Sequence, residues 1–193
     1  MKKIKIILIT VTAVLIVSSN SFAQRGQSGN CISQGAVAFD AFYGYPYING
    51  ALLKALSSAP VHNTNHLGAK VEYMVSDNVG LGVEFTYADA SVMYSDSTGN
   101  HTAGIRKYRI LGKMNYHFAT TSNVDPYFTV GAGVKNTTVY DNGTKGASIS
   151  INLLPVAIRF GVGVRYFFTD FIGINGEVGL GGPMMQGGLS FKF

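Results

Sequence analysis

Residues 155–168 read PVAIRFGVGVRYFF, and the placement of their two arginines decides the fold. The even positions, Val156, Ile158, Phe160, Val162, Val164, Tyr166 and Phe168, are all aliphatic or aromatic. The odd positions hold Pro155, Ala157, Arg159, Gly161, Gly163, Arg165 and Phe167. Strict alternation marks a β-strand, because successive side chains leave opposite faces of the pleat. Both arginines therefore share one face with small residues, while the opposite face is greasy throughout.

The same two faces recur along the chain. Leu67, Ala69, Val71, Tyr73 and Val75 alternate with Gly68, Lys70, Glu72 and Met74, and Val79, Leu81, Val83, Phe85 and Tyr87 with Gly80, Gly82, Glu84 and Thr86. Tyr108, Ile110, Met114, Tyr116 and Phe118 alternate with Lys107, Arg109, Lys113, Asn115 and His117. Phe128, Val130, Ala132 and Val134 stand against Thr129, Gly131, Gly133 and Lys135. Ile172, Ile174, Val178 and Leu180 stand against Gly173, Asn175, Glu177 and Gly179. The tail sets Met185, Leu189, Phe191 and Phe193 against Gln186, Gly188, Ser190 and Lys192. A first segment, Val37 to Tyr45, is looser, because Phe42 falls among the small residues Ala38, Asp40 and Gly44.

That makes eight strands. The connectors between them are long at 47–65, intermediate at 95–103 and 141–150, and short at 76–78, 120–125 and 169–170. Loops at one end and turns at the other predict an up-and-down antiparallel barrel, with 181–183 as a short exception on the loop side. Helical periodicity is confined to ALLKAL at 51–56, one or two turns inside the first loop.

The chain begins MKKIKIILITVTAVLIVSSNSFAQ, with three lysines, an apolar stretch from Ile6 to Val17 and a small-residue site at Ser21-Phe22-Ala23. This is the pattern of a signal peptide over residues 1–23, cleaved near Ala23-Gln24. The apolar stretch is too short to cross a hydrocarbon core of about 30 Å as a helix. A short segment, 24–34, and a barrel over 35–193 would follow.

Removal of Lys2, Lys3 and Lys5 lowers Lys+Arg from 15 to 12 against 10 Asp+Glu, so the mature charge is +2. The basic balance belongs largely to the leader, and nucleic acid loses its main support as a partner. Charged residues are only 13% of the chain, about half the share usual in soluble domains. Cys31 is the only cysteine, so no internal disulfide can form. SSNSFAQRGQSGN separates it from the apolar core of the leader, which argues against a lipid anchor and for a free thiol near a flexible N-terminus.

Alternation alone does not say which face is inside. An eight-stranded barrel has an interior barely wide enough for its own side chains. The polar face mixes long charged residues with glycines, as a crowded lumen requires, each Gly making room for a neighbouring Arg or Lys. A solvated outer face would instead be dense in Lys, Glu and Thr. The bulky face carries Tyr and Phe near strand ends, as aromatic girdles at two membrane interfaces would. The greasy face therefore points to lipid. The lumen then holds Lys70, Lys107, Arg109, Lys113, Lys135, Arg159, Arg165 and Lys192 with Asp40, Glu72, Glu84 and Glu177, a structural charge network. Eight cations exceed four carboxylates, so other oxygens or positions near the ends must serve the remainder.

With these features the chain resembles the small eight-stranded outer-membrane β-barrel proteins of the OmpA/OmpX transmembrane type, a porin-like family. The resemblance covers residues 35–193 and rests on the leader, the eight alternating strands and the final GLSFKF of 188–193. It implies a Gram-negative outer-membrane location, contact with lipid and lipopolysaccharide, and recognition of terminal Phe191 and Phe193 by barrel-assembly machinery. It brings no shared catalytic motif, cofactor or metal.

Other motifs are weak. Gly80-Leu-Gly82, Gly131-Ala-Gly133 and Gly161-Val-Gly163 lack the third glycine and following helix of a nucleotide loop. His62 and His66, four apart, would share a metal on a helix, but the segment reads as polar loop. His117 reads as a hydrogen-bonded lumen filler. His101 beside Ser95, Asp96 and Ser97 holds the ingredients of a lipid-modifying centre without its pattern. The expected role is therefore non-enzymatic: surface interaction or adhesion through the loops, with Tyr43, Tyr45, Tyr47 and ALLKAL as the contact. A narrow conduit for ions or small solutes is the runner-up, and a lipid enzyme comes third.

Overall fold

The computed structural model describes residues 29–46, 61–96, 99–143, 147–150 and 155–193. They form β1 (Val37–Tyr45), β2 (Val61–Met74), β3 (Val79–Asp96), β4 (Gly99–His117), β5 (Val124–Asp141), β6 (Ala147–Ser150), β7 (Val156–Phe167), β8 (Ile172–Leu180) and β9 (Met185–Lys192). Eight of these close a ring: each pairs antiparallel with its neighbour in the order β1, β2, β3, β4, β5, β7, β8, β9, and β9 pairs back to β1. β6 lies beside the far end of β5. Within the ring, closure pairs every strand on both sides, the condition for crossing hydrocarbon with strands.

The two faces separate as the alternation predicts. In β7, Arg159 is 0% exposed, while its neighbours Ile158 and Phe160 are 51% and 58% exposed. Apolar side chains point outward all round the ring, and the interior holds most of the charged residues. Outward tyrosines lie at both ends of the greasy band, with Phe85 and Phe160 also exposed at mid-strand. Tyr43, Tyr45 and Tyr108 lie toward one end, and Tyr73, Tyr116, Tyr166, Phe168 and Phe171 toward the other.

The connectors 75–78, 118–123 and 168–171 share one end with residues 31–36 and with Phe193, here called the turn end. The residues before β1 fold across it. The Cys31 amide donates to Thr121 O at 2.6 Å, Gly35 N to Met74 O at 2.9 Å, and Gln34 N to Asp77 Oδ1 at 2.9 Å. Ile32 packs with Ala38 and Met74. Cys31 is thus a free thiol as expected, but a buried one and not part of a loose N-terminus. Burial, reinforced by the nearby Asp125 carboxylate, pushes it up to about 11.

At the loop end several strands run further than alternation suggested. β2 begins at Val61 and not at Leu67, with a register shift between Thr64 and Leu67, so His62 and His66 lie on a strand and not in a polar loop. β3 and β4 pair as far as Asp96 and Gly99, which reduces the connector expected at 95–103 to residues 97–98. β6 lies within the connector expected at 141–150. Beyond the greasy band the contrast that reveals alternation fades, as where Ala88, Asp89, Ala90 and Ser91 are buried on both faces of β3. The leader at 1–23, residues 24–28, Tyr47 and ALLKAL at 51–56 lie outside the described residues. Among the described residues there is no helix.

Candidate functional site: the charged lumen

Glycines and aromatics build the space first. Phe42 faces Gly68 across β1 and β2, and Tyr127 faces Gly163 across β5 and β7. Each ring lies over its glycine so closely that a Cβ there would overlap it. The same holds for the Glu72 side chain over Gly80. The glycines therefore make room chiefly for aromatic rings and a glutamate. Gly182 and Gly131, beside Arg109 and Lys113, follow the expected cationic pattern.

Within this space the charges form two groups. Toward the turn end, Arg165 bridges three carboxylates: its Nη2 donates to Glu72 Oε2 at 2.6 Å and Asp40 Oδ2 at 2.9 Å, and its Nη1 to Asp125 Oδ2 at 3.2 Å. His117 lies between Asp125 Oδ1 at 2.7 Å and Glu72 Oε1 at 3.0 Å. Ser190 donates to Asp40 at 2.5 Å and Asn115 to Glu72 at 2.7 Å. The Tyr127 ring lies 4.8 Å from the Arg165 guanidinium. Lys192 sits at the barrel's turn end, donating to Cys31 O over the Phe167 ring.

Nearer the loop end, Glu177 accepts from Lys70 at 2.8 Å, Lys113 at 3.2 Å, Arg159 at 2.6 Å and Tyr127 at 3.2 Å. Glu84 accepts from Arg109 at 2.6 Å, Lys113 at 3.1 Å and Thr86 at 3.3 Å. The short 181–183 turn bends over these groups. Arg109 Nη1 donates to Gly181 O at 2.5 Å and Arg159 Nη1 to Pro183 O at 3.0 Å. Gly181 adopts φ +85 with its Cα against the Ile158 carbonyl, so the bend requires glycine.

Ten of the twelve charged residues expected in the lumen are buried there: Asp40, Lys70, Glu72, Glu84, Arg109, Lys113, Arg159, Arg165, Glu177 and Lys192. Lys107 and Lys135 stand half-buried at the mouth, lining a cavity of about 360 Å³ with Arg109 and His66. Two members of the network come from outside the expected twelve. Asp125 was assigned to a turn, although stepping back by two from Thr129 through Tyr127 reaches it; His117 was expected only as a filler.

Ser95 and His101 are not brought together. Tyr94 pairs with His101 and Ser95 with Asn100, so the two lie on opposite faces of the hairpin. Ser95 Oγ donates to Asn100 at 2.5 Å, and the His101 ring lies 5.5 Å from that of Tyr94. Ser97 and the Asp96 side chain lie outside the described residues.

A family model, the outer membrane protein beta-barrel domain, matches residues 9–182. Among solved structures, the N-terminal β-barrel domain of Pseudomonas aeruginosa OprF is similar at 17% identity and TM-score 0.48, over 84% of this chain and all of that one. P. aeruginosa OprG matches at 14% identity and TM-score 0.48, over 83% of this chain and 97% of its own. Escherichia coli outer membrane protein W matches at 22% identity and TM-score 0.42, over 83% and 99%. No curated protein matches.

Proposed function

The chain belongs to the outer membrane protein beta-barrel domain family, and on that premise we propose that this outer-membrane barrel acts through its external surface, in an interaction or adhesion role. Short turns lie on the periplasmic side and loops outside in such barrels, so the turn end faces the periplasm. A leader cleaved near Ala23-Gln24 would deliver the chain there. Lipid and lipopolysaccharide would surround it, and Phe193, whose backbone exchanges two hydrogen bonds with Val37 at 2.9 Å, would present the assembly signal together with Phe191.

One observation carries the proposal. β3, β4 and β5 are 18, 19 and 18 residues long, whereas about 9–11 suffice to cross a bilayer. The surplus forms a paired ribbon on the cell's outer side, flanked by the start of β2 and by β6. Asp89 holds it together, accepting from Arg106 Nε at 3.0 Å and from Tyr140 at 3.0 Å. Tyr94 donates to Asp141 at 2.7 Å. Met93 presents an exposed apolar side chain on it. A stiff ribbon standing clear of lipid suits contact with another surface.

The interlocked charges around Glu177 and Glu84 speak against a conduit. Planar-bilayer recording of the purified barrel tests this directly. A silent membrane is expected, and repeated conductance steps of stable size would replace the surface reading with the narrow channel. Mass spectrometry of envelope lipids after overexpression should show no new lipid species; one that depends on His101 would bring back the enzyme reading.

A further inference from the structure

We propose that the extracellular mouth of the lumen is a binding site for a phosphate- or sulfate-type oxyanion. The cavity of about 360 Å³ there is lined by Lys107, Arg109, Lys135 and His66, with Pro46 and Gly182 on its walls and no carboxylate among its lining residues. Arg109 and Lys135 are direct cross-strand partners in the β4–β5 register, and Lys107 lies two residues along β4. Like charges set opposite one another in a sheet repel, and the arrangement is favourable only with an anion between them.

Neither Lys107 nor Lys135 has a carboxylate partner among the described residues. Glu84, which pairs with Arg109, also serves Lys113. Residues 47–60, 97–98, 144–146 and 151–154, outside the described residues, contain Lys54 and Lys145 but no Asp or Glu, and Asp96, the one carboxylate whose side chain is not described, pairs with Gly99 at the far end of β3 and β4. No carboxylate from those segments can neutralise the mouth.

The second observation is a pair of orphaned donors. Arg109, 4% exposed, lines the cavity with its Nε unpartnered, and Arg159, 0% exposed, has an unpartnered Nη2. Both guanidinium groups border Gly182, where a Cβ would run into them. Buried guanidinium N–H groups are costly to leave unsatisfied, and a tetrahedral oxyanion offers several acceptors with the charge that matches. Arginines supply directed donors and the two lysines movable point charges at the rim. Both a free inorganic anion and the phosphate of a lipopolysaccharide carry this chemistry.

The inference does not rest on the surface-interaction reading, because anion binding at the mouth is measured with no surface partner present. The mature barrel, uniformly labelled for NMR, is titrated with inorganic phosphate and with sulfate at constant ionic strength. Saturable shifts at the mouth and a raised urea midpoint are expected for both anions. Lys107→Gln and Lys135→Gln should each weaken binding about tenfold, while without anion Lys135→Gln should be at least as stable as the wild type. Nanodiscs with and without lipopolysaccharide distinguish the sources: competition by the lipid assigns the site to its phosphate, and undiminished phosphate binding assigns it to the free anion. Absence of saturable binding of either anion, or binding unaffected by both lysine variants, would overturn the proposal.

Discussion

At the scale of single residues, the interior depends on groups that have no replacement. Arg165 is the one cation bridging Asp40, Glu72 and Asp125, so Arg165→Leu would leave three buried carboxylates without it. Breaking a buried pair costs about 3–5 kcal/mol. Arg165→Lys keeps the charge but loses the fork, and one ammonium cannot span three partners. Urea titration read by the heat-modifiable gel shift should rank wild type above Lys and Lys above Leu; equal midpoints would contradict the bridging role. Arg159→Leu should also be destabilised, through Glu177. The glycines permit a second comparison. Gly163→Ala drives a methyl into the Tyr127 ring and should cost about 1–3 kcal/mol, whereas Gly176→Ala meets nothing within 4 Å and should be near neutral.

At the scale of the strand, legibility follows the solvent. Between Val79 and Tyr87 one face meets lipid and the other a charged lumen, and the alternation spells out β3. From Ala88 onward that contrast disappears: Ala88, Asp89, Ala90 and Ser91 are buried in succession, and no two-face pattern marks the continuation to Asp96. Asp125 was obscured differently, since Thr120, Ser122 and Asn123 beside it read as turn chemistry. Phe42 loosens the alternation of β1, and its compensation, Gly68, sits on another strand. The ribbon and the barrel should be separable. Val92 and Ala103 are direct partners, so replacing residues 93–102 with Asn-Gly closes the hairpin at that level. The shortened barrel should still fold and show its heat-modifiable shift, while any surface-binding activity is lost. A variant that fails to fold would mean that the ribbon belongs to the barrel's core stability.

At the scale of the whole molecule, the lumen is electrically polarised along its axis. Toward the loop end, Lys70, Arg109, Lys113 and Arg159 are tied to Glu84 and Glu177, with Lys107 and Lys135 beyond them at the mouth, whereas toward the turn end Asp40, Glu72 and Asp125 gather around Arg165 and Asp40 also faces Lys70 across β1 and β2. Glu177 is the chief tie in the outer group, holding Lys70, Lys113, Arg159 and Tyr127. Glu177→Gln preserves shape but removes one of the two carboxylates to which Lys70, Arg109, Lys113 and Arg159 are tied. The cations should then repel one another, lowering the urea midpoint and loosening the closure they now form. In a planar bilayer the variant should open in brief steps where the wild type is silent. Fixed charge sets the preference of a narrow path, so the reversal potential in a salt gradient should report anion selectivity. Cation-selective steps would place the controlling charge in the Asp40, Glu72 and Asp125 group instead, and a variant as silent and as stable as the wild type would show that Glu177 does not hold the lumen shut.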